Sequence, residues 1–274
     1  WAEAGLTFIG PCGDTIRRAG AKSEARERMC AAGVPVTPGS DGTVNSVAEA
    51  LAVAERVGYP VLLKASAGGG GRGIRRCNHA GELPAAFEEA RSEARACFGS
   101  DEMYLEKRIL RPRHIEFQIL ADRHGHVIHL GDRDCSVQRR NQKMIEEAPA
   151  RSLTPALREA MGKAAVRAAE AVGYAGAGTV EFLLDGDGQH FYFMEMNTRI
   201  QVEHGVTEMI TGVDLVRQQL RIASGLSLDI KQRDVRFTGH AIECRINAED
   251  PEQDFRPCPG TVDFLHFPGG MGVR

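Results

Sequence analysis

The sequence predicts a mixed α/β (α+β) fold, with antiparallel hairpins flanked by helices, on three observations. Apolar residues recur at helical spacing in 46–58 and in 155–173. Two other stretches alternate apolar and polar residues around turns at 122–125 and 185–188, as β-hairpins do. A short apolar run at 61–66 indicates a buried strand, and at 274 residues with 42% hydrophobic content the chain can bury a core in two lobes.

The predicted elements follow one another without repeats. The first helix, 46–58, ends where Gly58 and Pro60 break the pattern. After it we expect a strand at 61–66, a loop at 67–73, a helix at 82–97, a strand at 103–109, the first hairpin, a helix at 155–173, the second hairpin and a helix at 213–225. The breaks "VTPGS" and "LRPRH" divide the chain into residues 1–36, 37–109 and 110–274.

Composition narrows the class of protein. The net charge of −3 does not favour nucleic-acid binding, and the sequence has neither an apolar run of membrane-spanning length nor a signal peptide. Seven cysteines without a CxxC pair indicate reduced thiols and no zinc site, so we expect a cytoplasmic protein, with the mitochondrial matrix as the other setting. The abrupt ends at Trp1 and Arg274 suggest a fragment.

The run "AGGGGRG" at 67–73 is the first chemical feature. Successive glycines let backbone amides approach a phosphate closely, and the cations Lys64 and Arg72 flank the run. A flexible linker is the alternative, but a linker is rarely fixed to a core strand. The run matches neither the P-loop pattern nor GxGxxG after a strand.

The second hairpin carries oxygen ligands. Glu195 and Asn197 lie two residues apart and share a strand face, and Glu181 joins them if odd positions pair with odd. Three such ligands suit Mg²⁺, whose other positions are filled by water and phosphate. A solvated sheet face is the alternative, although the apolar neighbours Phe191 and Phe193 argue against it.

Two further polar stretches remain ambiguous by themselves. In "TRIQVEH", Arg199, Gln201 and Glu203 would share one side of an extended segment, where they could bind and deprotonate a small oxyanion or simply form loop salt bridges. The run "QRRNQK" at 138–143 could be a solvated charged face or the cationic wall of an anion site.

Together these motifs resemble one family. "KASAGGGGRGIR", "RDCSVQRRNQK", "GAGTVEFL", "FMEMNTRIQVEH" and "HAIECRINAEDP" are similar to the biotin carboxylase component of biotin-dependent carboxylases, an ATP-grasp enzyme. The resemblance covers essentially the whole chain. It implies an ATP-grasp fold in which 1–36 ends the N-terminal domain, 37–109 forms a lid with the glycine loop, and 110–274 forms the core and the start of the C-terminal domain.

The resemblance implies a role for each matched position. The ATP-binding positions are Lys22, Lys64, Gly69, Gly70, Gly71, Glu106, Lys107, His114, Gln138, Asn141 and Leu183. The ligands of Mg²⁺ or Mn²⁺ are Glu181, Glu195 and Asn197. The bicarbonate pocket is Lys143, Arg199, Gln201 and Val202. Four positions are catalytic: Arg199 and Lys143 of this pocket, Glu203, the general base, and Arg274, which stabilises the biotin enolate.

The implied reaction is ATP- and bicarbonate-dependent carboxylation of biotin through carboxyphosphate. The implied partners are a biotin carboxyl carrier and a carboxyltransferase, with a homodimer in the full-length protein; the final acceptor (acetyl-CoA, propionyl-CoA, pyruvate or another) is not encoded. Gly205 and Asn141 depart from the usual proline and histidine of the family. A non-catalytic nucleotide-binding fragment and another ATP-grasp ligase, of the carbamoyl-phosphate synthetase kind, remain as alternatives.

Overall fold

A computed structural model describes residues 4–20, 22–67 and 73–274, without the side chains of Lys22 and Ser23. The chain combines helices with antiparallel sheets, which confirms the predicted fold class. One compact unit ends at Glu243, and a second covers Cys244–Arg274. Within the described residues, no helix combines the length and the apolar character needed to cross a membrane.

The helices begin and end where local chemistry predicts. They are α1 Gly13–Gly20, α2 Lys22–Ala31, α3 Val47–Val57, α4 Leu83–Phe98, α5 Pro155–Ala171, α6 His204–Thr211 and α7 Leu215–Ala223. The hydroxyls of Ser46 and Thr154 accept backbone N–H groups of α3 and α5 and so satisfy donors that the helix leaves unpaired. The sequence analysis missed α1, α2 and α6, which are short or strongly polar.

The strands form three sheets. They are β1 Val61–Ala65, β2 Ile74–Cys77, β3 Met103–Lys107, β4 Arg113–Ala121, β5 Val127–Arg139, β6 Gln142–Ala148, β7 Gly176–Leu184, β8 Phe191–Asn197, β9 Ala241–Cys244, β10 Glu249–Asp250 and β11 Arg256–Pro257. Their orders are β2-β1-β3, β8-β7-β4-β5-β6-β9 and β10-β11. The "QRRNQK" run turns from β5 into β6 through Arg140 and Asn141, whose φ angles are 52° and 64°.

The three-stranded sheet has its own apolar core. Leu63 and Leu105 of the sheet pack with Ala54 of α3 and with Phe87 and Ala90 of α4. All of these residues lie in the segment 37–109, for which a separate lid subdomain remains the prediction.

The central strands of the six-stranded sheet are buried on both faces. One face is apolar, and the other is apolar where Leu120 packs with Leu215 and Ile222 of α7. Ile115, Phe117 and Phe182 pack with Met161 and Ala165 of α5. Alternate residues of the same strands project to the other face, where β4 and β7 carry polar side chains at full burial. This second face holds the candidate site.

Candidate active site

Lys143, on β6, is surrounded by carboxylates. Its Nζ donates hydrogen bonds to Glu116 Oε2 at 2.5 Å, Glu181 Oε1 at 2.8 Å and Glu203 Oε1 at 2.7 Å. Burial alone would lower the pKa of Lys143, but the nearby charges of Glu116 and Glu181 outweigh it and raise that pKa above the ordinary value. Lys143 is therefore a fixed positive charge.

Glu181, on β7, connects this cation to the predicted metal ligands. Its Oε1 also accepts hydrogen bonds from Asn197 Nδ2 and Gln201 Nε2, each at 2.9 Å. Its Oε2 lies 3.1 Å from His114 Nε2. Burial alone would raise the pKa of Glu181, but the contacts with His114 and Lys143 hold it at about 2. The carboxylate is therefore ionised, and its Oε2 has fewer protein contacts than its Oε1.

His114 is oriented from its other side. Gln138 Nε2 lies 3.0 Å from His114 Nδ1 and also donates to the carbonyl of Cys135 at 2.8 Å. Because the amide donates to Nδ1, the ring proton lies on Nε2, where it faces Glu181. The structure thus brings together His114, Gln138, Lys143, Glu181 and Asn197.

Opposite charges meet throughout this cluster. Arg133 contacts the carboxylate of Glu116, and Lys143 contacts those of Glu116, Glu181 and Glu203. These attractions hold the carboxylates in place.

Glu195 is placed where it could share a metal ion with Glu181. It lies directly opposite Glu181 in the β7–β8 pairing, next to a bulge after Glu181. Oxygen ligands from Glu181, Glu195 and Asn197 fit the hard ion Mg²⁺.

The predicted nucleotide residues are divided between the three-stranded and the six-stranded sheets. Lys64 of β1 forms an ion pair with Glu106 of β3. Lys107 Nζ donates to the carbonyls of Gly58 and Tyr59, at 2.9 and 2.8 Å. Leu183 is half-buried on β7, and Asn141 is exposed at the β5–β6 turn. Gly69, Gly70, Gly71 and the side chain of Lys22 lie outside the described residues.

The segment after β8 differs from the prediction. The expectation that Arg199, Gln201 and Glu203 share one side of an extended segment is wrong, because β8 ends at Asn197 and a turn leads into α6. Gln201 and Glu203 are buried, at 5% and 2% exposure, whereas Arg199 is exposed. Its Nη1 donates to the carbonyl of Ile200 at 3.1 Å.

The remaining residues of the predicted pocket and catalytic set are Val202 and Arg274. Val202 is 63% exposed, so its side chain is not part of the buried network. Arg274 belongs to the second compact unit.

Sequence reasoning missed Arg133 and Glu116, which are both fully buried. They face each other across β4 and β5, and Arg133 Nε donates to Glu116 Oε1 at 2.5 Å. Arg133 lies beyond the stretch whose alternation predicts the first hairpin, so no local pattern in the sequence pairs it with Glu116.

The chain is similar to known proteins in both sequence and structure. Residues 21–231 match the family described as "Carbamoyl-phosphate synthase L chain, ATP binding domain". The chain is 59% identical over 273 residues to the biotin carboxylase of Nostoc sp., covering 100% of this chain and 61% of that protein.

Two solved structures cover the whole chain at high similarity. One is the biotin carboxylase domain dimer of Hydrogenobacter thermophilus 2-oxoglutarate carboxylase with MgADP, ADP and bicarbonate, at a TM-score of 0.92 and 56% identity. The other is a Campylobacter jejuni biotin carboxylase in complex with β-γ-ATP, at a TM-score of 0.93 and 48% identity. The chain spans 60% of each.

Proposed function

The chain belongs to the ATP-binding domain family of the carbamoyl-phosphate synthase L chain and is similar along its whole length to biotin carboxylases, and we propose that it carries out the ATP- and bicarbonate-dependent carboxylation of biotin. Bicarbonate is a poor electrophile, so ATP would first convert it to carboxyphosphate. The acceptor would be biotin attached to a carrier protein or domain.

The contact of Lys143 with Glu203 carries this proposal. A small oxyanion needs a fixed cation and N–H donors, and Lys143 and Gln201 offer both beside Glu203. Glu203 would remove the bicarbonate proton, and the resulting oxygen would attack the terminal phosphorus of ATP. Bicarbonate would enter by competing with the carboxylates for the Lys143 ammonium group. Arg199 would reach this pocket by turning away from the Ile200 carbonyl.

The nucleotide would lie between the two larger sheets. Lys64 would leave Glu106 to bind phosphate oxygens, and Lys107 would stay at the adenine edge. Magnesium, held by Glu181 and Glu195 with Asn197 beside them, would offset the charge that develops on the transferred phosphoryl group.

The later steps would use the products of phosphoryl transfer. Carboxyphosphate would break down to carbon dioxide and phosphate, and the phosphate would take the N1′ proton of biotin. The N1′ nitrogen would then capture carbon dioxide. The role of Arg274 in stabilising the biotin enolate stays a prediction, as do a carboxyltransferase partner and a homodimer.

Release of ADP tests the proposal. This chain should release ADP from Mg-ATP only with bicarbonate present, and free biotin should accelerate the release. Ammonia-dependent release without a biotin effect would instead favour a carbamoyl-phosphate synthase-like ligase. Mg-ATP binding without any turnover would favour a nucleotide-binding role.

A further inference from the structure

Arg133 is the largest of the fully buried side chains and lies at the centre of the polar sheet face. Its three guanidinium nitrogens donate to acceptors on β4, β7, α6 and the segment between β8 and α6. These are Glu116 Oε1 at 2.5 Å, Gln118 Oε1 at 2.8 Å, Thr207 Oγ1 at 2.9 Å, Thr179 Oγ1 at 3.2 Å and Gln201 Oε1 at 3.2 Å. A single side chain therefore joins four parts of the fold.

A β-bulge places Arg133 at this position. Leu120 pairs with Ile128 beyond the bulge, and Glu116 pairs with Arg133 before it, so β5 carries one extra residue around Gly131. An unbroken register would put Asp132, a like charge, opposite Glu116. Gly131 has φ 88°, and a Cβ there would lie 2.6 Å from the Phe237 ring, so the bulge requires glycine.

Stability alone does not account for a buried guanidinium. Taking the charge out of water is costly, and apolar residues of similar volume are often as stabilising as a buried ion pair. The contacts of Arg133 have a specific consequence, however. By binding one oxygen of Glu116, Arg133 leaves the other oxygen to hold Lys143.

Arg133 orients Gln201 in the same way. It binds Gln201 Oε1, so that Gln201 Nε2 faces Glu181 at 2.9 Å. Two groups of the proposed bicarbonate pocket, Lys143 and Gln201, are thus each fixed through an acceptor that Arg133 holds.

We propose that Arg133 is a positioning residue of the bicarbonate pocket. It holds Gln201 directly, and it holds Lys143 through Glu116. This inference rests on the proposed function. Arg133 itself touches no substrate. Without its charge, Glu116 would be compensated by Lys143 alone and would draw the ammonium group away from Glu203. Lys64 and Lys107 make their contacts on the other sheet, so Mg-ATP binding should depend on Arg133 less than bicarbonate binding does.

The test compares bicarbonate and nucleotide affinities in Arg133→Lys and Arg133→Gln. We expect the KM for bicarbonate to rise about 10–100-fold, the range for loss of a supporting partner around a bound group, with little change in the Kd for Mg-ATP. Arg158→Lys is the matched control, because Arg158 of α5 forms a partly buried ion pair with Asp132, the neighbour of Arg133 on β5. It should lower the Tm without changing the KM for bicarbonate.

The double variant Arg133→Gln with Glu116→Gln separates positioning from simple loss of folding. It removes both charges, so it should fold even if Arg133→Gln does not, and it should bind bicarbonate more tightly than Arg133→Gln. If Arg133→Gln fails to fold, the bicarbonate affinity of the double variant is compared with that of Glu116→Gln, in which Arg133 lacks its carboxylate partner. Absence of any rescue, or equal losses of bicarbonate and Mg-ATP affinity, would overturn the proposal.

A binding measurement keeps this test independent of turnover. Sodium bicarbonate, compared with sodium chloride at equal ionic strength and pH, should raise the Tm of the unchanged chain in the presence of Mg-ADP. That shift should shrink in Arg133→Lys and persist in Arg158→Lys. A Tm shift without any turnover would refute the proposed function while still testing Arg133. An equal Tm shift in all three proteins, or no shift in the unchanged chain, would refute the positioning role.

Discussion

The ammonium group of Lys143 lies 2.7 Å from the carboxylate of Glu203, which is only 2% exposed. A proposed anion-binding cation and a proposed general base thus form one ion pair, in which Glu203 is buried and the Lys143 side chain keeps 13% exposure. Because Glu116 and Glu181 also contact the same ammonium group, its charge is shared among three carboxylates. An arriving anion meets a cation whose position is already set.

Replacing Lys143 with methionine should abolish bicarbonate-dependent turnover. Loss of one preorganised donor to a developing oxyanion lowers kcat by about 10²–10³, and Lys143 carries a full charge in addition. Mg-ATP binding should be largely spared, which equilibrium titration with the nucleotide would check. Lys163→Met removes an exposed lysine paired with Glu159 and serves as the control. Equal loss of nucleotide binding and turnover would contradict the assigned role.

Glu195→Gln should weaken the dependence on magnesium. The change preserves shape but removes one anionic ligand opposite Glu181, so half-maximal activity should need a higher magnesium concentration. A magnesium titration at fixed ATP measures this. The exposed carboxylate of Glu159 provides the control as Glu159→Gln. Coincident titrations of Glu195→Gln and the unchanged chain would count against Glu195 as a ligand.

Acid stability should depend on Asp122. Burial alone would raise the pKa of Asp122, but the backbone amides of Leu228, His126 and His124 donate to it and hold it at about 2. Because the pKa of Asp122 is lower in the folded chain, its ionisation stabilises the fold at pH values above the unfolded pKa of about 3.9. This contribution is lost as the pH falls through about 2.

Asp122→Asn should therefore lower the Tm near neutral pH, and the difference from the unchanged chain should narrow as the pH falls from about 3.9 towards 2. Thermal unfolding at a series of pH values measures this. Asp14→Asn removes an exposed carboxylate of α1 and should show no such trend. A difference that is constant with pH would show that the ionisation of Asp122 does not stabilise the fold.

Gly178→Ala should destabilise the strand that carries Glu181. A Cβ at Gly178 would lie 2.6 Å from the Tyr174 ring, whose hydroxyl donates to the carbonyl of Ala177 at 2.8 Å. Overpacking of this kind costs about 1–3 kcal/mol. Denaturant unfolding would check it, with Gly13→Ala as the control because a Cβ there meets no atom within 4 Å. Equal stability of the two variants would contradict the packing.

The predictable part of the fold depended on local signals. The caps at Ser46 and Thr154 and the turn at 185–188 mark element ends in the sequence itself. The pairing of β4 with β5 did not follow from such signals. Counting back from the turn puts Asp132 opposite Glu116, and only the bulge at Gly131 brings Arg133 there.

The site was predictable to a similar extent. Lys143, Glu181 and Gln201 were identified from the family resemblance, and the structure brings them into contact. The side of the chain on which Arg199 lies was not predictable, because it depends on where β8 ends, and an alternating pattern of polar residues does not reveal that end.

Transfer of labelled carbon from bicarbonate to free biotin is the measurement that tests the central claim most directly. With Mg-ATP, this chain should form acid-labile labelled carboxybiotin, and Lys143→Met should form none. Labelled product that appears equally without ATP, or no labelled product despite bound Mg-ATP, would contradict the account.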